Sequence, residues 1–404
     1  MRRVVITGIG VVSALGNNTD DFWNALSHGR SGIGPITKVD VSALRFQNAA
    51  EVRGFDPEQH FEDRLLQWLD PFAQYGMVAA REAVADSGIE FTNKLKARSG
   101  VITGSCLGGK VTEDRMFYKM YAEGHHRNQP IAIPSAMANA VASHVSMEFG
   151  LTGASFTLST ACSSANHAIG QAFWLIRQGS MDAAVTGGSE APFCLGHLRA
   201  WEAMRVVSPD TCRPFSKDRT GMILGEGGAM FVMESLDAAL ARGAKIYAEI
   251  AGFGMSSDAH HLTMPLAAGA AKAMTEAIED GNLRPEDVGY INAHGTATQA
   301  NDPMESAAIR LAFGEHTDKI AVSSTKSMHG HALGAAGAIE AAGTILGLHH
   351  GILPPTANFR ESDPECSIDV IQNEARHVQV EAAVSNSFAF GGLNAVLAFR
   401  RWQG

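Results

Sequence analysis

One thiol set among small and hydroxyl side chains is the first feature of this sequence that could do chemistry. Cys162 lies in STACSSANHAIG, after a strand-like segment, Phe156–Ser159, and before a helical run that includes Ala168–Gln178. A thiol at a strand-to-helix turn meets unpaired helix amides and the positive end of the helix dipole, and both favour the thiolate. Free cysteine is also among the residue types most often buried. This segment alone leaves a nucleophile and a small packing residue equally open.

Two further segments place basic side chains at similar turns. His294 follows a predicted buried strand in YINAHGTAT, and Lys326 and His331 lie at the next strand-to-helix turn, in SSTKSMHGHALGAAG. Residues at the carboxyl ends of adjacent strands in an α/β sheet converge on one crevice. We therefore expect Cys162 to meet two histidines there, as a nucleophile whose partners manage protons or donate hydrogen bonds.

Metal binding is the alternative that the 16 histidines suggest. Adjacent histidines point in different directions on a helix or a strand, so such pairs make poor chelates. The sequence has no HExxH motif and no carboxylate-supported spacing that would indicate catalytic zinc. The adjacent pairs are His125-His126, His260-His261 and His349-His350.

The cysteines argue against a disulfide framework and against a structural zinc site. They are odd in number, far apart and without a CxxC pair, which fits a reducing, cytoplasmic compartment better. The five are Cys106, Cys162, Cys194, Cys212 and Cys366.

The composition is typical of a compact globular protein. Of 404 residues, 45% are apolar and 18% are charged, which argues against disorder. A net charge of −10 without any Lys/Arg-rich block argues against nucleic acid as a partner. The apolar N-terminal segment lacks a small-residue cleavage site, so we interpret it as a buried strand rather than a signal peptide. No run of about 18 apolar residues predicts a membrane span.

Apolar, β-rich runs alternate with helical patterns, which predicts an α/β architecture whose sheets are covered by helices. ITGIGVVS near the N-terminus resembles IAGFGMSS in the second half, and STA…HAIG resembles STK…HALG, in the same order. A repeat of this length favours a duplicated α/β unit. We expect the halves to span 1–243, with the thiol, and 244–404, with the catalytic His and Lys. Gly8-Ile-Gly10 lacks the third glycine and the later acid of a dinucleotide fingerprint, so we interpret it as a tight turn that packs a strand on a helix.

Four motifs in order along the chain carry a family resemblance: TACSSANHAIG, NAHGTATQANDPME, STKSMHGHALGAAGAIEA and SNSFAFGGLNAVLAF. They resemble β-ketoacyl-[acyl carrier protein] synthases of the condensing-enzyme class, type II in particular. MRRVVITGIGVVSALGNN and CRPFSKDRTGMILGEGGAMFVME are similar to that family too, so the resemblance covers almost the whole chain. It implies the thiolase fold, in which two βαβαβαββ halves with five-stranded sheets form a five-layered αβαβα sandwich.

The resemblance also implies partners and substrates. The chain would form a homodimer, and acyl carrier protein would deliver both substrates on phosphopantetheine, with no cofactor of the enzyme's own. Cys162 would be acylated in a ping-pong reaction, and the enolate formed from malonyl-carrier protein by loss of CO2 would attack the acyl group.

Roles for individual residues follow from the same resemblance. His294 and His331 would donate hydrogen bonds to the malonyl thioester oxygen, where enolate charge develops. The backbone amides of Cys162 and Phe390 would form the oxyanion hole. Lys326 would pair with Glu340, and this pair would orient the site and balance its charge.

The resemblance also implies roles for residues that bind the substrate or a cation. Thr296 and Thr298 would bind the pantetheine arm. Chain-length selection would involve the residues Cys106, Phe193, His197, Phe388 and Phe390, for which core packing is the alternative. In some relatives a structural Na⁺ or K⁺ ion is surrounded by the residues that correspond to Asn292, Ala293, Glu340, Ser385 and Asn386.

Four positions depart from the residues common in the family, Pro, Thr, Gly and Thr respectively: Gln299, His329, Ala389 and Leu393. Val207–Arg213 is also shorter than in housekeeping members. The catalytic set is intact, so we expect activity, but in a specialised branch such as the synthases for nodulation-factor acyl chains or polyenes.

Related classes fit the residues less well. A biosynthetic thiolase needs a second catalytic cysteine near the C-terminus, where SNSFAFGGLN has none. A three-carbon-starter synthase would have Asn in place of His294 or His331. The chain-length-factor partner of a heterodimeric synthase would normally lack the nucleophile, which here is Cys162.

Overall fold

The computed structural model describes residues 1–127 and 129–404. Its strands are β1 (Val4–Ser13), β2 (Gly34–Pro35), β3 (Asn48–Ala49), β4 (Ser99–Gly104), β5 (Ser155–Leu158), β6 (Ala183–Glu190), β7 (Gly227–Ser235), β8 (Ala248–Ser257), β9 (Val288–Asn292), β10 (Ala321–Ser323), β11 (Ile352–Leu353), β12 (Asp369–Val370), β13 (Arg376–His377), β14 (Ala382–Ala389) and β15 (Leu393–Arg401).

The helices are α1 (Thr19–Ser27), α2 (Asp63–Leu66), α3 (Pro71–Ser87), α4 (Asn93–Lys96), α5 (Lys110–Tyr121), α6 (Ala132–Ala136), α7 (Ala140–Phe149), α8 (Ser164–Arg177), α9 (Leu195–Met204), α10 (Leu236–Ala241), α11 (Ala267–Asp280), α12 (Asn301–Phe313), α13 (Lys326–His329) and α14 (Ala336–His350). Short 3-10 turns occur at Pro57–Gln59, Pro285–Asp287, Gly314–Lys319 and Leu333–Ala335.

The sheet repeats one strand order in the two halves of the chain. The order β5-β4-β6-β7-β1 in the first half corresponds, strand for strand, to β10-β9-β14-β15-β8 in the second. Strand β12 extends the second set at its edge. The sets are joined through β1 and β8, which pair over only three residues, Val4–Ile6 with Ala248–Ile250. The predicted duplication of an α/β unit is therefore confirmed.

Helices form three layers around these two sets of strands. Helices α3 and α7 pack on the outer face of the first set, and α11 packs on the second with α12 beside it. Helices α8 and α14 contact each other and strands of both sets, so they form the middle layer. Helix α14 is apolar on nearly all sides and is buried from Ala336 to Leu348, as a helix between two sheets must be.

The glycines of β1 pack a strand on a helix, as predicted, but they do so without forming a turn. Gly8 and Gly10 lie inside the ten-residue strand, not in a turn. A Cβ atom on Gly10 would lie 2.0 Å from the carbonyl oxygen of Ala79 in α3. In the second half, a Cβ on Gly254 of β8 would lie 2.1 Å from the carbonyl oxygen of Ala273 in α11. The predicted tight turn is wrong, because the glycines let a helix backbone lie directly against each strand.

Four strand ends bring the candidate chemistry together. Cys162 follows β5, His294 follows β9, Lys326 follows β10 and Phe390 follows β14. Strands β9, β10 and β14 are parallel neighbours, so the residues that follow them lie at one edge of the sheet.

The boundary predicted between residues 243 and 244 lies in the connection from α10 to β8. It stays a prediction. Within the described part of the chain, none of the helices has the length and apolar character needed to cross a membrane.

Candidate active site

A cavity of about 280 Å³ opens beside the turn that carries Cys162. Of the residues singled out from the sequence, its wall includes Cys162, His294, Thr296, Thr298, His331, Phe388 and Phe390. Gln299, one of the positions that depart from the family, also lines it, whereas sequence reasoning missed other side chains of the wall, among them Trp201, Arg205, Met222, Leu262 and Met264. These come from loops and from α9, where nothing in the local sequence indicates that they face the thiol.

Cys162 is held by a strained turn and surrounded by hydrogen-bond donors. Ala161, just before it, has a positive φ of 50°, which a residue with a Cβ adopts only when the surrounding structure holds it there. The Nε2 atom of His331 lies 3.1 Å from the sulfur. The backbone amides of Phe390 and of Cys162 itself also hydrogen-bond to the sulfur. The reacting atom therefore faces both predicted oxyanion donors.

Burial decides the protonation state of this thiol. It raises the pKa of Cys162 to about 11, although the charge of Lys326 and the two backbone amides act in the opposite direction. The sequence-based expectation that the helix terminus favours the thiolate is therefore wrong for the resting protein. Desolvation of the charged form outweighs Lys326 and the two amides here, and the sulfur carries its proton at neutral pH.

The two histidines are neutral and their rings meet at a right angle. The ring centroids of His294 and His331 are 5.5 Å apart, with planes inclined by 86°. Burial, together with the charge of Lys326, holds the pKa of both imidazoles well below the usual range. Both Nδ1 atoms are buried and have no hydrogen-bond partner among the described residues. An unpaired buried N–H is rarer than an unpaired acceptor, so we assign the proton of each ring to Nε2.

Lys326 and Glu340 form an ion pair that is wholly removed from solvent, with both side chains 0% exposed. Burial raises the pKa of Glu340 to about 7, against the opposing charge of Lys326. Glu340 comes from α14, the middle-layer helix, and Lys326 begins α13. The structure therefore pairs the two residues that the sequence comparison paired.

Glu305, which sequence reasoning missed, holds the turn of His294. Its carboxylate accepts the backbone N–H groups of His294, at 2.8 Å, and Gly295, at 2.7 Å. It also accepts hydrogen bonds from the amides of Asn301 and Asn386. The motif NAHGTATQANDPME does contain this acid, as its last residue. Only the fold shows that Glu305, on α12, directs its carboxylate back to the loop of His294.

The two threonines form one polar strip in the cavity. Their hydroxyl oxygens, on Thr296 and Thr298, are 3.0 Å apart. Buried Arg219 supports them, since its Nε donates to the carbonyl of Thr298 at 3.3 Å. Gln299, where the family commonly has Pro, donates in turn to the carbonyl of Arg219 at 2.8 Å.

Three residues assigned to chain-length selection do not line the cavity. Phe193 is buried in an apolar cluster with Met222 and Leu333, and Cys106 packs against it. His197 accepts a hydrogen bond from Trp201, and only the indole reaches the cavity. These three side chains therefore lie behind residues of the cavity wall and do not reach the cavity themselves.

The residues around the expected cation site lie under α14. The side-chain amide of Asn292 donates to the carbonyl of Glu340 at 3.0 Å. Three buried oxygens near these elements have no partner among the described residues: Glu340 Oε2, Ser385 Oγ and Asn386 Oδ1. Unpaired oxygens suit a monovalent cation, and the site stays a prediction. In the described ranges, no group of three or more His, Cys, Asp or Glu side chains could hold a metal ion.

Family models match most of the chain. Residues 1–239 match "Beta-ketoacyl synthase, N-terminal domain" and residues 247–360 match "Beta-ketoacyl synthase, C-terminal domain". The chain is 46% identical over 400 residues to a nodulation protein E from Rhizobium sp. (strain N33), with 99% of each chain covered. It is 43% identical over 408 residues to a 3-oxoacyl-[acyl-carrier-protein] synthase 2 from Coxiella burnetii (strain RSA 493 / Nine Mile phase I), again with 99% of each covered.

Solved structures show the same relationship. The ishigamide ketosynthase/chain length factor superposes with a TM-score of 0.95 at 37% identity, covering all of both chains. A ketosynthase bound to the hexaketide, in complex with its type II PKS acyl-carrier protein, superposes with a TM-score of 0.91 at 30% identity, also over the full length. With its duplicated thiolase fold, the chain therefore belongs to the β-ketoacyl synthase family and is an acyltransferase of the condensing-enzyme class.

Proposed function

We propose that this chain is a 3-oxoacyl-[acyl-carrier-protein] synthase that carries the growing acyl group on Cys162. The convergence of one thiol and two neutral histidines in a single cavity carries this proposal. The reaction joins an acyl thioester to malonyl-carrier protein, releases CO2 and lengthens the chain by two carbons.

The first half-reaction moves the acyl group to the enzyme. The sulfur of Cys162 attacks the carbonyl of acyl-phosphopantetheine, and the oxyanion that forms accepts hydrogen bonds from the amides of Cys162 and Phe390. The carbon–sulfur bond to pantetheine then breaks, and the thiol proton passes to the departing pantetheine sulfur. The hydroxyls of Thr296 and Thr298 suit the amide groups of the pantetheine arm.

The second half-reaction forms the new bond. Malonyl-carrier protein loses CO2, and the electron pair of the broken carbon–carbon bond moves into an enolate. The Nε2–H groups of His294 and His331 donate to the enolate oxygen, which a neutral imidazole can do without taking up charge. The enolate carbon attacks the acyl-cysteine, a carbon–carbon bond forms, and the bond to Sγ breaks. The sulfur of Cys162 leaves as a thiolate, which takes up one proton from solvent.

The wider setting is part of the same proposal. Acyl carrier protein is the partner, as in the related ketosynthase complex, and the similarity to nodulation protein E supports a specialised acyl chain as product. The presence of Cys162 supports an active condensing subunit over a chain-length-factor partner.

The five free cysteines support a reducing, cytoplasmic location. A structural Na⁺ or K⁺ ion would take the unpaired oxygens of Glu340, Ser385 and Asn386.

A homodimer is also proposed, and an exposed apolar face supports it. Strand β5 ends the sheet, so one side of its backbone is an unpaired edge. Strand β5 itself, the neighbouring helices α5, α6 and α7 and the residue after α6 expose large apolar side chains: Phe117, Tyr118, Tyr121, Ile133, Met137, Met147 and Phe156. Such a patch on one face, continuous with a free strand edge, fits a second copy of this chain.

Acylation of Cys162 is the first test. After incubation with an acyl-carrier-protein thioester, mass spectrometry of a digest is expected to find the acyl mass on the peptide that contains Cys162. The variant Cys162→Ala should show none, whereas Cys194→Ala should be labelled as fully as the unaltered protein. Acyl mass on another residue would reject the mechanism.

The histidines are tested by separating the two half-reactions. His294→Ala and His331→Ala should lose malonyl decarboxylation by about a hundredfold, since each loses one donor to the enolate. Both should keep measurable acyl transfer to Cys162, because that step uses backbone donors. Decarboxylation followed as CO2 release at an unchanged rate in both variants would remove these residues from the proposed role.

The raised pKa of Cys162 predicts an unusual pH dependence. Since only the thiolate reacts with iodoacetamide, the rate of Cys162 alkylation should rise about tenfold for each pH unit up to about pH 11. Mass spectrometry of the Cys162 peptide measures this, with glutathione alkylated in parallel as an unburied thiol. If the alkylation rate of Cys162 reached a plateau near the same pH as that of glutathione, burial would not raise the pKa of this thiol.

The dimer is tested by sedimentation equilibrium. The unaltered protein should have twice the chain mass of 42.8 kDa. Tyr121→Glu and Met147→Glu should weaken the association, because each places a charge in the apolar face. Leu311→Glu puts the same charge at an exposed position of α12 and should leave the mass unchanged. A monomeric unaltered protein would contradict the assignment.

A further inference from the structure

Two aromatic side chains that take no part in the proposed chemistry form part of the cavity wall. Trp201 from α9 and Phe390 after β14 both face the space beside Cys162. Their ring centroids are 6.3 Å apart, and the ring planes are inclined by 30°. An acyl group attached to the sulfur therefore has this aromatic pair as one of its boundaries.

The indole of Trp201 has a fixed orientation. Its Nε1–H donates to Nε2 of His197, one helical turn earlier in α9, at 2.8 Å. The two rings lie edge to face, with centroids 6.0 Å apart. An indole N–H can only donate, so His197 must carry its own proton on Nδ1. Burial lowers the pKa of His197 to about 4, which keeps the ring neutral and its Nε2 free to accept.

Phe390 connects this wall to the nucleophile. Its backbone amide hydrogen-bonds to the sulfur of Cys162, while its ring packs against Trp201. Gly391 and Gly392 follow with φ angles of 86° and 69°, a conformation that places a turn directly after the ring. The indole therefore limits how far the Phe390 ring can move toward α9 while its amide stays on the sulfur.

From these contacts we propose that Trp201 is a specificity-determining residue for the acyl group on Cys162, and that His197 is a positioning residue that acts through it. This inference rests on the proposed condensing activity. The indole limits the space between α9 and Phe390, so long or bulky acyl chains are excluded. The hydrogen bond to His197 prevents the indole from rotating aside, so the exclusion depends on that bond as well as on the ring.

The test is a competition between a short and a long acyl-carrier-protein thioester in one assay. Trp201→Ala should raise the long-to-short ratio of kcat/KM by about tenfold or more, because contacts in an apolar pocket discriminate by that order. His197→Ala should shift the ratio in the same direction by a smaller factor. Trp68→Ala, a change of an indole that is not part of the cavity wall, serves as the matched control and should leave the ratio unchanged.

A double-mutant cycle separates positioning from general destabilisation. Trp201→Phe retains an aromatic ring but has no N–H donor, so adding His197→Ala to it should produce no further change in the ratio. Equal effects of His197→Ala in both backgrounds would show that His197 does not act through the indole. Trp201→Phe also provides a mild variant in case Trp201→Ala does not fold.

A spectroscopic readout is independent of turnover. The chain has five tryptophans, and the indole ¹⁵N–¹H signal missing from Trp201→Phe identifies Trp201. That signal should move in His197→Ala, and it should move again when Cys162 is acylated.

The possible failures are distinguishable. An unchanged ratio in Trp201→Ala, with Cys162 still acylated, would overturn this inference and leave the proposed function intact. Absence of acylation in the unaltered protein would instead reject the proposed function.

Discussion

The buried ion pair between Lys326 and Glu340 is the interaction on which the rest of the site depends. Neither side chain touches solvent, and removal of one partner from such a pair typically destabilises a protein by about 3–5 kcal/mol. The pair also sets the local electrostatics. Burial lowers the pKa of His294 and His331, and the charge of Lys326 lowers it further. The same charge partly offsets the desolvation of the Cys162 thiol.

The duplicated fold explains how this pair and the nucleophile meet. Helices α8 and α14 occupy equivalent places in the two halves and pack on each other in the middle layer. The turn before α8 bears Cys162, whereas the corresponding turn of the second half bears Lys326 and His331. Neither half holds a complete site. The chemistry exists only because the two sheets share one helical layer.

Burial has opposite effects on the groups of this site, and both suit the proposed reaction. It raises the pKa of Cys162, so the sulfur stays protonated until an acyl thioester enters. It lowers the pKa of His294 and His331, so both rings are neutral, as the proposed donation to the enolate requires. The same burial would leave donors without partners, and two carboxylates supply them. Glu305 accepts from the backbone N–H of His294, and Glu340 pairs with the ammonium group of Lys326.

The sequence by itself determined the α/β class, the internal repeat and the identity of the residues at the strand ends, because these depend on local periodicity and on motifs with fixed spacing. Tertiary structure decided what depends on distant packing. It put Gly8 and Gly10 inside a strand, under a helix backbone, and it turned the carboxylate of Glu305 to the loop of His294. It also placed Trp201 in the cavity wall and left His197 behind it. The protonation of Cys162 belongs to the same group, because it depends on desolvation by many surrounding residues, which local sequence does not reveal.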